Sequence, residues 1–95
     1  MTGNDLKVLR KALGLTQAAM GEEMGLSLRA YTDVEKTVSD LRRDHQMVAE
    51  LVSLRQAVAK RDLNLALPEV RKMALDYARL METGSPEKQK GPASQ

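Results

Sequence analysis

Residues that catalyse reactions or bind metal ions are scarce in this chain of 95 residues. There is no Cys, which excludes disulfides, Cys-ligated zinc, iron–sulfur clusters and thiol catalysis. The single His, His45, cannot form a multi-histidine metal site, and nothing in the sequence supports a Ser–His–Asp triad around it. The carboxylates of Glu22 and Glu23 are most simply part of a solvent-exposed face. We therefore expect no enzyme activity, no metal ion and no cofactor.

The composition favours a small helical protein. Hydrophobic residues make up 42% and charged residues 29% of the chain, as in ordinary globular domains. Aromatic residues are limited to Tyr31 and Tyr77, and Ile is absent, so the core must use Leu, Val, Ala and six Met, which suit helices better than sheets. The net charge of +2 is too small to indicate a polyanionic partner by itself. Without a signal peptide or an apolar stretch of about 18 residues, we expect a cytoplasmic protein with no membrane partner.

Three short helices are expected before residue 37. Each begins after a residue whose side chain can accept a hydrogen bond from a free backbone N–H of the first turn. The first two end at a Gly, which adopts the left-handed conformation without strain. The expected caps are Thr2 or Asn4, Thr16 and Ser27, and the expected stops are Gly14 and Gly25.

The segment from residue 17 to residue 34 predicts two helices that meet at a steep angle. Gly21 lies in the middle of the second expected helix, where Gly costs about 1 kcal/mol relative to Ala in an isolated helix. We attribute it to the close approach of another helix, and Gly25 supplies the turn between the two. A helix anchored in this way presents a polar outer face that can enter the major groove of DNA. The expected apolar anchors are Met20, Met24, Leu26, Tyr31 and Val34.

Helical spacing continues through the second half of the chain. Ser39 and Asp40 are candidate caps for residues 41–60, which form either one long helix or two helices joined at Ser53. Residues 62–67 are an expected connector, and Pro68 fits the first turn of a last helix that stops at Gly84. The predicted organisation is a helix-turn-helix domain over residues 1–61, a C-terminal helix over 62–83 and a disordered tail over 84–95.

The segment GLTQAAMGEEMGLSLRAYTDVE resembles the helix-turn-helix of the Cro- and phage-repressor-like (XRE-type) DNA-binding family. LRKAL, before Gly14, resembles the first helix of that family. The likeness is strong over roughly residues 6–36 and loose over 37–61. It implies an all-α fold, with a compact domain of four to five helices and an additional C-terminal helix. The chain departs from the family pattern at Thr37, where Gly is frequent, at Tyr31, where Ile or Val is usual, and at Gly21, where Ala is usual.

The resemblance also implies roles for particular residues. Gln17 matches a Gln that bonds a DNA phosphate and braces the recognition helix, and Arg10 and Glu35 match a structural ion pair. Positions that contact base edges in the family correspond here to Ser27, Leu28, Arg29, Thr32 and Asp33. Those that contact the DNA backbone correspond to Lys36, Thr37, Arg42 and Arg43.

These roles lead us to expect a transcriptional regulator, most simply a bacterial or prophage repressor without a small-molecule ligand domain. It would bind a pseudo-palindromic site in double-stranded DNA as a homodimer. In such a complex Arg29 could contact guanine O6 and N7 together. The expected dimer interface is residues 67–83 with part of 48–60. It rests on an apolar stripe of the last helix formed by Val70, Met73, Tyr77, Leu80 and Met81. The alternative is an antitoxin-type interaction module whose C-terminal helix binds a partner protein.

Overall fold

The computed structural model describes residues 1–83, and the tail expected over 84–95 lies outside these residues. The described chain is all-α, as predicted. No helix among these residues is long and apolar enough to cross a membrane. In chain order the helices are α1 (Gly3–Ala12), α2 (Gln17–Glu23), α3 (Leu28–Glu35), α4 (Arg43–Lys60) and α5 (Pro68–Thr83), with a 3-10 turn at Leu63–Leu65 between the last two.

The first three helices begin after predicted capping residues, with Thr2 and not Asn4 capping the first, and the first two end at the predicted glycines. Thr2, Thr16 and Ser27 each accept a hydrogen bond at the side-chain oxygen from the backbone N–H three residues later. Gly14 and Gly25 follow α1 and α2 with φ values of 73° and 76°, the left-handed conformation that only Gly adopts readily. The local capping signals therefore determine these boundaries.

The hydrophobic core lies where α1, α2, α3 and the first part of α4 meet. Gly21 is buried in α2, and a Cβ atom there would lie 3.0 Å from the Cβ of Tyr31, which confirms that α3 approaches closely at this position. The predicted anchors are buried, apart from Leu26, which is half-buried at the edge of the cluster. The buried members of the cluster are Leu6, Leu9, Leu13, Met20, Met24, Tyr31, Val34, Leu41, Ala49 and Val52.

The start of α4 differs from the prediction. Neither Ser39 nor Asp40 caps this helix, which begins at Arg43 after Arg42, a residue without a capping side-chain bond. Asp40 instead forms an isolated bridge with Thr2, and the adjacent Leu41 is buried and donates its N–H to the carbonyl of Met1. The long-range contact with the start of α1 therefore holds residues 40 and 41 in extended conformation, so α4 begins only at Arg43.

Ser53 does not divide α4. Its hydroxyl donates to the carbonyl of Glu50 at 2.7 Å within the helix and accepts from the N–H of Leu67 at 3.2 Å. The buried Ser53 thereby attaches the end of the connector to a continuous helix of 18 residues. The sequence left one helix or two open, and the structure shows one.

Helix α5 begins at Pro68, as predicted, but none of its residues is buried. Arg61 leaves α4 in the left-handed conformation with φ 54°, and Ala66 is buried in the connector. An open apolar groove of about 620 Å³ lies between α4 and α5 and is lined by Leu54, Ala57, Val58, Arg61, Leu63, Ala66, Arg71, Ala74 and Leu75. The apolar surface of α5 is therefore left largely exposed within the described part of the chain.

Candidate nucleic-acid interface

Four of the five residues predicted to contact bases share the outer face of α3. At about 100° per residue, positions 28, 29, 32 and 33 fall within an arc of about 140° on a helix, and position 36 falls in the same arc. The fifth residue, Ser27, is the N-cap that precedes the helix. The opposite side of α3 carries Tyr31 and Val34, which are buried against the core. The structure therefore brings four of the predicted base-contacting residues together on a surface whose reverse side is fixed.

Arg29 is free to bind a ligand on this face. It is exposed and makes no hydrogen bond or ion pair through its guanidinium with any residue in the range 1–83. The neighbouring Leu28 and Asp33 are also exposed. A guanidinium, an apolar side chain and a carboxylate can respectively contact guanine, the thymine methyl group and the cytosine amino group.

The two hydroxyl groups of this set are already used within α3. Ser27 caps the helix, its Oγ accepting from the N–H of Ala30 at 3.1 Å, and its hydroxyl proton stays available for a second bond. Thr32 is half-buried and donates to the carbonyl of Arg29 at 2.9 Å. Thr32 therefore keeps acceptor capacity toward DNA, and its donor is already used in the helix.

The predicted backbone-contacting residues lie on three different elements. Lys36 caps the C-terminal end of α3 and is exposed, whereas Thr37 is half-buried and its carbonyl accepts from the N–H of Gly3. Arg42 forms an exposed ion pair with Asp44 at 2.9 Å, and Arg43 begins α4 with its side chain exposed. Only Arg42 among these cations would have to exchange a protein partner for a phosphate.

A polar cluster around Glu35 fixes the C-terminal end of α3. Arg10 of α1 donates through Nε to Oε2 of Glu35 at 2.6 Å, as the predicted ion pair requires. Gln17, the first residue of α2, donates through Nε2 to Oε1 at 2.9 Å, and the hydroxyl of Tyr31 donates to Oε2. The Arg10 and Glu35 side chains expose only 11% and 6% of their surface. One carboxylate thus joins α1, α2 and α3.

Sequence reasoning identified only part of this cluster. Gln17 was expected to brace the recognition helix and to bond a phosphate; the structure shows the bracing contact, through Glu35, and the half-buried amide keeps a second N–H. Tyr31 was treated only as a replacement for Ile or Val. It lies four residues before Glu35 on the same helix, and its hydroxyl donates a hydrogen bond to the Glu35 carboxylate. The i, i+4 spacing of a Tyr and a Glu was the signal that could have revealed this contact.

The cluster changes the protonation of its members. Burial of the Glu35 carboxyl opposes ionisation, but the hydrogen bonds from Arg10, Tyr31 and Gln17 outweigh burial and hold its pKa below the ordinary value. Burial, followed by the hydrogen bond to Glu35, raises the pKa of the Tyr31 phenol well above its ordinary value. Glu35 is therefore ionised and Tyr31 neutral over the whole neutral range.

The free energy of unfolding should therefore fall in acid, and part of this fall should come from protonation of Glu35. Because the pKa of Glu35 is lower in the folded than in the unfolded state, its contribution is fully present above the ordinary Glu pKa of about 4.3 and is lost as the pH falls through the folded value. Urea unfolding between pH 7 and pH 2.5 should show a shallower loss of stability for Glu35→Gln than for the wild type. Asp5, whose pKa is lowered by the backbone N–H of Thr2, accounts for part of the remaining slope. Parallel curves for the two proteins would contradict the assignment.

No group of three or more His, Asp or Glu side chains within residues 1–83 is arranged to hold a metal ion. This part of the chain combines an exposed polar face on α3 with a charged cluster, around Glu35, that holds the C-terminal end of the helix. Comparison with family models, with curated proteins and with solved structures finds no match for the chain.

Proposed function

We propose that this protein is a sequence-specific DNA-binding transcriptional regulator that places α3 in the major groove. The observation that carries the proposal is the combination of an exposed, unpaired Arg29 and a helix whose inner face and C-terminal end are fixed by the core and by Glu35. Recognition requires a side chain held at a defined position, because a bidentate contact with guanine tolerates little displacement. The sequence resemblance to XRE-type regulators supports the same assignment.

We propose further that the protein acts as a homodimer, and as a repressor at a pseudo-palindromic site. The few base contacts of one α3 give limited discrimination, and two copies on half-sites about one DNA turn apart would double them. The expected interface stripe on α5 is accessible, since Met73, Tyr77, Leu80 and Met81 are exposed and Val70 is half-buried. The same exposure favours the second candidate, an interaction module that keeps the DNA-binding head and whose α5 binds a partner protein. This candidate does not require α3 to make specific DNA contacts.

The decisive experiment is selection of binding sites from a randomised duplex library, followed by titration at about physiological salt. The selected duplex should bind at least about 10³-fold more tightly than a scrambled duplex of equal length. Arg29→Ala should reduce that ratio by about 5- to 150-fold, corresponding to about 1–3 kcal/mol for one bidentate contact.

The matched control is Arg79→Ala. Arg79 is also an exposed arginine, but it lies on the polar side of α5, opposite the apolar stripe, so its removal changes the net charge equally without touching α3. The control variant should keep the specificity ratio of the wild type. Failure to enrich any sequence, or equal losses in the two variants, would contradict base readout by α3 and favour the interaction module.

A further inference from the structure

Helix α4 carries an exposed apolar row on the side that faces away from the core. Ala49 and Val52 are buried on its inner face, yet Met47, Leu51 and Val58 are 56%, 53% and 70% exposed. Together with the half-buried Leu54 they are spaced by four, three and four residues. This average spacing of 3.5 residues is the one that keeps apolar side chains in line along a packed partner helix. We call positions 47, 51, 54 and 58 the α4 seam.

Helix α5 repeats the same spacing. Val70, Ala74, Tyr77 and Met81 are also separated by four, three and four residues, and we call them the α5 seam. Each seam extends over 11 residue steps, or about 16 Å at 1.5 Å per residue. Tyr77 and Met81 are exposed, and no residue of α5 is buried. The two seams therefore match in length and periodicity, and each has exposed members in a single protomer, whereas Leu54, Val70 and Ala74 are half-buried.

Within one protomer the two seams cover each other only in part. Arg61 turns the chain at the end of α4, and the connector is fixed through Ser53 and the buried Ala66. Between α4 and α5 an open apolar groove of about 620 Å³ remains, and its lining includes Leu54 and Val58 of the α4 seam and Ala74 of the α5 seam. Most of the α4 seam is therefore left open to a helix from outside the protomer.

The exposed area of the seams and their flanks is about that of a standard interface. Counting about 200 Å² for a fully exposed side chain of this size, the exposed apolar residues on and beside the two seams offer on the order of 800 Å² per protomer. Standard interfaces bury about 800 Å² per partner, and monomers rarely expose apolar patches beyond a few hundred Å². The residues counted are Met47, Leu51, Val58, Met73, Tyr77, Leu80 and Met81.

We propose that the α4 seam of each protomer binds the α5 seam of a second copy, so that two equivalent helix pairs form about a twofold axis. This geometry is self-complementary, as a twofold interface requires. It extends the homodimer of the proposed function by naming the surface that receives α5. The pairing of the helices does not depend on DNA binding; only the role of the dimer on DNA rests on the proposed function.

Two glutamate substitutions test the geometry by sedimentation of the full chain without DNA. Leu51→Glu disrupts the α4 seam and Tyr77→Glu disrupts the α5 seam. Both positions are exposed in the protomer, so each variant should keep its helical circular dichroism and, at a dilution where the wild type is also monomeric, its unfolding transition. The wild type should be a dimer at about 100 µM, and each variant alone should have its dissociation constant raised at least about 100-fold. The equimolar mixture should recover dimers, because the heterodimer retains one intact pair of seams. Val8→Glu, an exposed apolar position on α1, is the matched control and should remain dimeric.

Other outcomes overturn the proposal. Loss of the dimer in Tyr77→Glu alone would show that α5 pairs with α5, and loss in Leu51→Glu alone would show that α4 pairs with α4. A wild-type monomer at about 100 µM would assign the surface to another protein. The proposed DNA function is tested separately by the Arg29 titration. A monomer that still binds the selected duplex through Arg29 would overturn only the helix exchange.

Discussion

Replacing Glu35 by Ala is expected to lower the free energy of unfolding by about 3–5 kcal/mol, the usual cost of removing one partner of a buried ion pair. The substitution leaves the guanidinium of Arg10 without its carboxylate in a site where it exposes 11% of its surface. It also removes the acceptor of Gln17 and Tyr31. Since these donors belong to α1, α2 and α3, we expect one cooperative loss of stability. Urea unfolding followed by circular dichroism at pH 7 measures it.

The control for this change is Glu22→Ala. Glu22 is an exposed glutamate on α2 without an ion pair in the described part of the chain, so its removal should change stability by no more than about 0.5 kcal/mol. In Glu35→Ala, Arg10 still donates through Nη1 to the carbonyl of Leu15, which limits the loss of stability. A cost below about 1 kcal/mol would show that water replaces the carboxylate and that the core alone holds α3 in place.

Substitution of Gly3 by Ala is expected to destabilise the protein by about 3 kcal/mol, although the same change usually stabilises a helix by about 0.5–1 kcal/mol. A Cβ atom at Gly3 would meet the backbone carbonyls of Glu35 and Thr37, the latter at 2.7 Å. Backbone atoms cannot rotate away as a flexible side chain can. The Gly3 N–H also donates to the Thr37 carbonyl at 2.9 Å, so the start of α1 cannot retreat without breaking this bond.

Asn4→Ala is the matched comparison for Gly3→Ala. Asn4 is the next residue of α1 and is exposed, so Ala there adds no contact and should leave stability within about 0.5 kcal/mol. Thermal unfolding of both variants tests this: the melting temperature should fall for Gly3→Ala and stay close to that of the wild type for Asn4→Ala. A Gly3→Ala variant more stable than the wild type would mean that the contact between α1 and the end of α3 is looser than described.

The contact at Gly3 also affects the candidate DNA surface. It fixes the chain immediately after α3, where Lys36 is exposed and Thr37 is half-buried. Thr37 stands where the XRE-type family frequently has Gly, and its φ is not among the positive values of the described non-Gly residues. The loop therefore follows a path that a β-branched residue adopts without strain, and its position depends on α1 and not on a left-handed turn.

Most of α1, α2 and α3 was predictable because the signals are local. A capping oxygen acts on an N–H three residues away, and a Gly with positive φ ends the helix beside it, so Thr2, Thr16 and Ser27 begin the helices as expected. The apolar spacing likewise predicted which faces of α1, α2 and α3 are buried. Gly21 was informative because its cost within a helix needed a compensating contact, which the structure supplies through Tyr31.

The remaining features depend on residues far apart in the chain, and only the tertiary structure decided them. Residue 3 meets residues 35 and 37, the start of α4 is set by contacts with the first two residues, and Ser53 accepts from Leu67. No local propensity encodes such pairs, because each is created by the way the helices pack. The α4 seam is of the same kind: the sequence shows many apolar residues at helical spacing, but only the packed fold shows which of them the core leaves uncovered.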